Sequence, residues 1–323
     1  MPGGASSGQP AIDPAVIDLA SSSEDGTGVS RTSTFRRALA AGIACALVFV
    51  TGYPLSAGAV QPACCKVVST SFGLLRVKKK DLATATFYGN HIAAAAQAFL
   101  RLKKIGILIV DGSLPGYRWG HVSTKERLPS YPWHFVDGTR YLAKYPPIEI
   151  LPHEIGHDLV RLYFVPNTKA GQYGTDAPDW LDEAVAVSFE MPADKVQRRC
   201  QARSLLEEGR LIPLSRFLGM THPSRMAANA DTRGSANIVY RSTAPQDTPE
   251  FYSMSLAFSE YFAAVRQDTG VLADFLKAFS EGKALDRWAV QAAGEHRRIT
   301  SIEDLDADFR AWMRKTESYR CGR

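Results

Sequence analysis

The chain is predicted to fold as an α+β protein. Short strand-like runs fill residues 66–144, amphipathic helices dominate from Ile148 onward, and no internal repeat links the two halves. Residues 66–77 alternate loosely between apolar and polar and read as a strand. Residues 90–103 place Ala94, Ala98, Leu100 and Leu102 at helical spacing. Residues 105–110 form an apolar run closed by Asp111-Gly112, the pattern of a buried strand and its turn. Residues 131–144 are aromatic, are broken by Pro132 and Gly138, and read as strand or loop. Further on, residues 184–190, 195–208, 255–266, 271–279 and 302–315 read as helices, the last one entered through a Thr300–Glu303 capping box. Residues 221–249 are polar and read as a long loop.

Composition excludes whole classes. With 323 residues, 45% hydrophobic and 22% charged, the chain is neither wholly disordered, nor collagen-like, nor a multi-span membrane protein. Five cysteines are too few for a disulfide-built scaffold. A net charge of +5 with scattered basic residues gives no electrostatic footprint for nucleic acid.

The front of the chain differs from the rest. Residues 1–30 contain no Lys or Arg, are rich in Gly, Ser, Ala and Pro, and read as disordered. Arg31, Arg36 and Arg37 then precede an uncharged run over 38–60. Its strongly apolar part, 38–50, has 13 residues, the length of a signal-peptide core and short for a membrane span. Pro54 breaks the helix, and Ala57-Gly58-Ala59 supplies a small-x-small cleavage pattern. The expected organisation is therefore residues 1–59 as leader plus signal peptide, or as an uncleaved signal anchor, and residues 60–323 as a single domain. Export to a periplasmic or extracellular space follows, with membrane contact only through 38–60 if that segment is not processed. The 264 residues after Ala59 carry net charge +6 and keep Cys64, Cys65, Cys200 and Cys321. A disulfide from Cys200 or Cys321 to the 64–65 pair, or between Cys200 and Cys321, fits an oxidising compartment, and the sequence leaves the choice open.

The chemistry concentrates in His153-Glu154-Ile155-Gly156-His157, an HExxH pattern that chance supplies in about 0.006 copies at this His and Glu content. Four residues apart on a helix, His153 and His157 project from one face and can bind one Zn²⁺. Glu154, one residue on, can reach a zinc-activated water and act as general base. Pro152 is tolerated near the helix start. The other faces carry Ile150, Ile155, Leu159 and Leu162, which should bury the helix. The residues after His157 place no third His at metzincin spacing, so the third ligand is sought on a following helix. There, Asp179-Trp180-Leu181-Asp182-Glu183-Ala184 would anchor Trp180, Leu181, Ala184 and Val185 in the core and turn Glu183 toward the first helix.

HEIGH followed by WLDEA resembles the gluzincin metallopeptidases, whose pattern is HExxH and then WLxEG, and within them the peptidase MA-like families of exported bacterial proteins. The resemblance spans roughly residues 85–316. It implies a zincin-like domain with a small mixed or antiparallel sheet followed by a helical lobe carrying the zinc site. By the same resemblance, His153, His157 and Glu183 are zinc ligands, Glu154 is the general base, and Tyr252 is the donor to the oxyanion, with Tyr240, Tyr261 and His222 as alternatives. Two departures stand out: 25 residues separate His157 from Glu183, and Ala184 replaces the common Gly.

Carboxylates that could orient the ligand histidines are Asp158, Asp179 and Asp182, unranked by sequence. Glu190, about two turns after Glu183, could support the site but reads chiefly as a solvated helix-end charge, and His91, His121, His134 and His296 read as structural or surface residues. The aromatic stretch 131–135 reads chiefly as core packing, with an edge strand for an extended substrate as the alternative. The expected activity is zinc-dependent hydrolysis of a peptide or protein substrate. The alternative is a zinc-containing envelope binding or scaffold module of the same fold that does not cleave.

Overall fold

A computed structural model of the chain describes residues 65–133, 148–165, 175–223 and 247–321. The chain divides into units Met1–Ala59 and Val60–Arg323, and every described residue belongs to the second. The leader, the uncharged run 38–60, Cys64, His134, Tyr240 and most of the loop assigned to 221–249 lie outside the described residues.

The architecture is α+β, with a small mixed sheet and a larger helical part. Strands β1 (Val67–Thr70), β2 (Gly73–Arg76), β3 (Ile107–Asp111), β4 (His121–Val122) and β5 (Pro129–Trp133) form one five-stranded sheet in the order β1-β2-β3-β5-β4. The outer pairs β1–β2 and β4–β5 are antiparallel, whereas β2–β3 and β3–β5 are parallel. The segment 66–77 is thus two strands rather than one. It turns at Ser71-Phe72 and re-enters the sheet at Gly73, whose φ is +138° and where an added Cβ would lie 2.1 Å from the Ile107 carbonyl oxygen. Only glycine allows both that backbone conformation and so close an approach of β3. The residues of β3, Ile-Leu-Ile-Val-Asp, are all buried, as expected for a central parallel strand. β5 is not the outermost strand: β3 lies on one side and β4 pairs with Pro129 and Ser130 on the other, while Tyr131 and Trp133 are fully buried. Their burial is the core packing expected first of this stretch.

Helix α1 (Leu82–Leu100) starts eight residues before the expected position and is closed by Arg101 in the left-handed region, φ 55°. The earlier start changes which face is buried. Ala85, Ile92, Ala96 and Leu100 point inward, while Ala94 and Ala98 are exposed.

The helical part comprises α2 (Leu151–Tyr163), α3 (Asp179–Phe189), α4 (Pro192–Glu207), α5 (Leu214–Phe217), α6 (Asp247–Arg266), α7 (Val271–Ser280), α8 (Leu285–Gly294) and α9 (Ile302–Lys315). α8 has no counterpart in the sequence reading. α6 begins inside the stretch read as loop, which places Tyr252 in its second turn rather than at its start. The bounds of α9 are those expected, but its cap is shifted by one residue. Ser301 is extended, its side chain accepts from the Asp304 backbone N–H, and Asp304 reciprocates, so the box is Ser301–Asp304 and not Thr300–Glu303.

Trp180 of α3 is the hub of an aromatic core, with Phe217, Phe258 and Phe275 at ring-centroid distances of 6.0, 5.5 and 5.3 Å. Of the possible disulfides, Cys200–Cys321 is the one formed; it ties α4 to the chain's C-terminal segment. Among the described residues, no helix is long and apolar enough to cross a membrane.

Candidate metal centre

α2 carries His153 and His157 on one face, both half-buried, while Leu151, Ile155, Leu159 and Val160 on the opposite side enter the core. Ile150 and Leu162 do not help to bury the helix; they are 42% and 37% exposed. Pro152 occupies the first turn, where its missing N–H leaves no intrahelical bond unmade.

α3 lies against α2 and is buried along its whole length, from Asp179 to Phe189. It therefore takes two carboxylates, Asp182 and Glu183, to 0% exposure. Isolated carboxylates so far from water are strongly disfavoured unless positive charge or hydrogen-bond donors compensate them. The structure places imidazole nitrogens around them. Glu183 Oε2 is 3.6 Å from His153 Nε2, and Glu183 Oε1 is 3.7 Å from His157 Nε2. Asp182 Oδ2 lies 3.3 Å from His157 Nδ1 and accepts the Thr175 backbone N–H at 3.3 Å. Glu190 Oε1 is 3.0 Å from His153 Nδ1.

Each imidazole thus has a carboxylate at Nδ1 and presents Nε2 toward Glu183. The ligand atoms of His153, His157 and Glu183 all lie within 4.8 Å of one another, so this group can hold a metal ion. The donor set fits: two imidazole nitrogens and one carboxylate oxygen are the ligand types of first-row divalent ions. Donors around a tetrahedral ion stand roughly 3.4 Å apart, near the two His–Glu separations of 3.6 and 3.7 Å.

The electrostatics point the same way. Burial alone would lower the His157 pKa, but Asp182, then Glu183 and Glu154, outweigh it and raise it to about 10. A cation at Nε2 would relieve the same excess of negative charge. Burial would raise the Glu190 carboxyl, yet the hydrogen bonds from His153 and Arg198 hold it below its ordinary value.

Of the carboxylates proposed to orient the histidines, only Asp182 meets one of the two. Asp158 is held by Arg161 at 2.8 Å, and Asp179 accepts the His222 backbone N–H at 2.6 Å. Glu190 is not a solvated helix-end charge: it is 7% exposed and joins His153 to Arg198. Sequence reading ranks support of the site second for Glu190 and passes over Arg198. The available signal was weak: a Glu seven residues after Glu183, and an Arg eight further on.

Tyr252 comes to the cluster from α6, its ring centroid 5.8 Å from that of His153. Its hydroxyl lies 3.0 Å from His222 Nε2, and that nitrogen is 3.3 Å from Glu183 Oε1. A proton on Nε2 can be donated to the Tyr252 hydroxyl, whereas the other tautomer would set a lone pair against the Glu183 carboxylate. His222 is buried at 1% exposure. Tyr261, an alternative oxyanion donor by sequence, is buried in the aromatic core with its hydroxyl on Asp308 at 2.8 Å. His91 bonds the Phe189 carbonyl at 2.7 Å, a structural role at the end of α3.

Comparison with family models, with curated proteins and with solved structures finds no match to this chain.

Proposed function

We propose that this chain is an exported zinc metallopeptidase with a gluzincin-type site on a zincin-like domain. The observation that carries the proposal is the convergence of His153, His157 and Glu183 from two packed helices, with Glu154 next to the first ligand. Zinc bound there supplies Lewis acidity and lowers the pKa of coordinated water. Glu154, a half-buried carboxylate on α2, takes the proton from the attacking water and passes it to the leaving amine. The Tyr252 phenol, placed beside His153 and seated on His222, donates to the carbonyl oxygen as negative charge develops on it. Asp182 and Glu190 orient the two imidazoles by accepting at Nδ1.

The test joins metal analysis of the purified chain with cleavage of an unfolded reporter protein, with and without chelator. One zinc per chain and chelator-sensitive cleavage are expected. Zinc at that stoichiometry with no turnover on a broad peptide library would favour a non-catalytic binding module, and absence of zinc would end both readings.

A further inference from the structure

A closed run of contacts leaves the cluster at one ligand and returns at another. His153 Nδ1 meets Glu190 Oε1 at 3.0 Å. Arg198, from α4, grips that carboxylate with both arms of its fork: Nε donates to Oε2 at 2.6 Å and Nη2 to Oε1 at 2.5 Å. The same guanidinium lies 4.8 Å from the Tyr252 ring centroid. Tyr252 then meets His222, and His222 meets Glu183. Neither Glu190 nor Arg198 belongs to the ligand group.

Building on the metallopeptidase reading, we infer that Arg198 is a positioning residue that couples the ligand His153, through Glu190, to the oxyanion donor Tyr252. An arginine is needed for geometric reasons. Its planar, delocalised fork binds a carboxylate in bidentate fashion while its face stacks on an aromatic ring. A lysine ammonium is a point charge that serves the carboxylate or the ring, not both in this arrangement. Glu190 is buried, so its hold on the His153 imidazole depends on its carboxylate being fixed in place, and the two-armed grip of Arg198 fixes it. Because the guanidinium also covers the Tyr252 ring, a shift at Glu190 is felt by the phenol across the cluster.

Arg198→Lys separates geometry from charge and is made in the full chain. The expected outcome is a folded protein with unfolding temperature close to wild type, a zinc Kd weakened about 10–100-fold in chelator competition, and a lower kcat on the reporter protein with KM little changed. Zinc affinity and kcat both equal to wild type would overturn the inference. If Arg198→Lys lowers the unfolding temperature, Glu190→Gln makes the same test from the other end of the bond and should weaken zinc similarly. The double variant should cost no more than the larger single effect; additive losses would overturn the route through Glu190. A wild-type chain that takes up no zinc refutes the parent reading and this inference together. A chain that binds zinc but never cleaves refutes only the peptidase assignment, and the zinc comparison still decides the arm from His153 to Arg198.

Discussion

Gly156 lies directly against the backbone of Ala186. A Cβ on Gly156 would come 2.9 Å from the Ala186 Cα and 3.5 Å from Phe189 Cγ. Gly156 is between the two histidines of α2, and Ala186 is one turn after Glu183 on α3, so this contact limits how closely the helices carrying His153, His157 and Glu183 approach. The obstacle is backbone, which cannot rotate aside. Gly156→Ala should gain up to ~1 kcal/mol of helix propensity but lose about 1–3 kcal/mol to overpacking. The expected net result is a lower unfolding temperature together with weaker zinc binding, measured by thermal denaturation and chelator competition. A stabilised variant with unaltered zinc affinity would show that the contact does not control the site.

Glu154 is half-buried on α2, and its charge acts on His157. Glu154→Gln keeps the shape and removes the base. Cleavage of the reporter protein should fall about 10²–10⁴-fold, while zinc remains bound at one per chain. Unchanged turnover would sink the general-base assignment, and lost zinc would mean that Glu154 helps hold the ion.

Asp182 is the sole described carboxylate at His157 Nδ1. Asp182→Asn preserves the side-chain volume, and its amide can still accept one bond, but the charge behind the imidazole is gone. Zinc affinity should drop roughly 10–100-fold, with little change in the fold because the backbone donor Thr175 retains an acceptor. Equal zinc affinity in both proteins would assign Asp182 a purely structural role.

Local chemistry was legible in the sequence; partner choice was not. The spacing of His153 and His157 is a property of one helix, and the apolar neighbours of Glu183 announce a helix in the core, so the grouping of these three residues could be anticipated from short segments. Glu190 and Arg198 form a pair across the break between α3 and α4, and nothing in a window around either residue announces the other. Periodicity was misleading where alanine dominates. In α1, alanines at 93–96 satisfy several helical phases, and only the start at Leu82 fixes which phase is buried. α8 was missed for the same reason, since three of its four buried residues are alanines with small hydrophobic signal. The turn between β1 and β2 lacks the Asn-Gly or Asp-Gly pair that marks tight hairpins, so two short strands read as one.

A second polar cluster, away from the metal centre, makes a pH-dependent contribution to stability. Glu126 receives hydrogen bonds from Arg76 at 3.0 Å, from the Tyr117 hydroxyl at 3.2 Å and from the Ser123 hydroxyl. Burial would raise its carboxyl, but Ser123, Tyr117 and Arg76 outweigh that and hold it below its ordinary 4.5. A carboxylate depressed on folding stabilises the protein above its unfolded pKa, and the contribution fades as pH falls through the lower folded value. The wild-type unfolding temperature should therefore decline on acidification below about pH 4.5. Glu126→Gln should be less stable at pH 7 and show a flatter acid limb. Parallel acid limbs in thermal scans from pH 3 to 7 would exclude Glu126 as a source of that dependence.

Cys200 and Cys321 stand 5.4 Å apart at Cα and close a loop with a sequence separation of 121. A cross-link over so long a loop removes much of the freedom of the unfolded chain, an effect of up to about 5 kcal/mol. The bond also fixes α4 two residues beyond Arg198, on the helix whose guanidinium holds Glu190. Cys200→Ser should thus lower stability by about 2–5 kcal/mol in denaturant titrations, and reducing the wild type should reproduce most of that loss. The variant should be insensitive to reductant. If reductant destabilises Cys200→Ser as much as wild type, a bridge other than Cys200–Cys321 stabilises the protein.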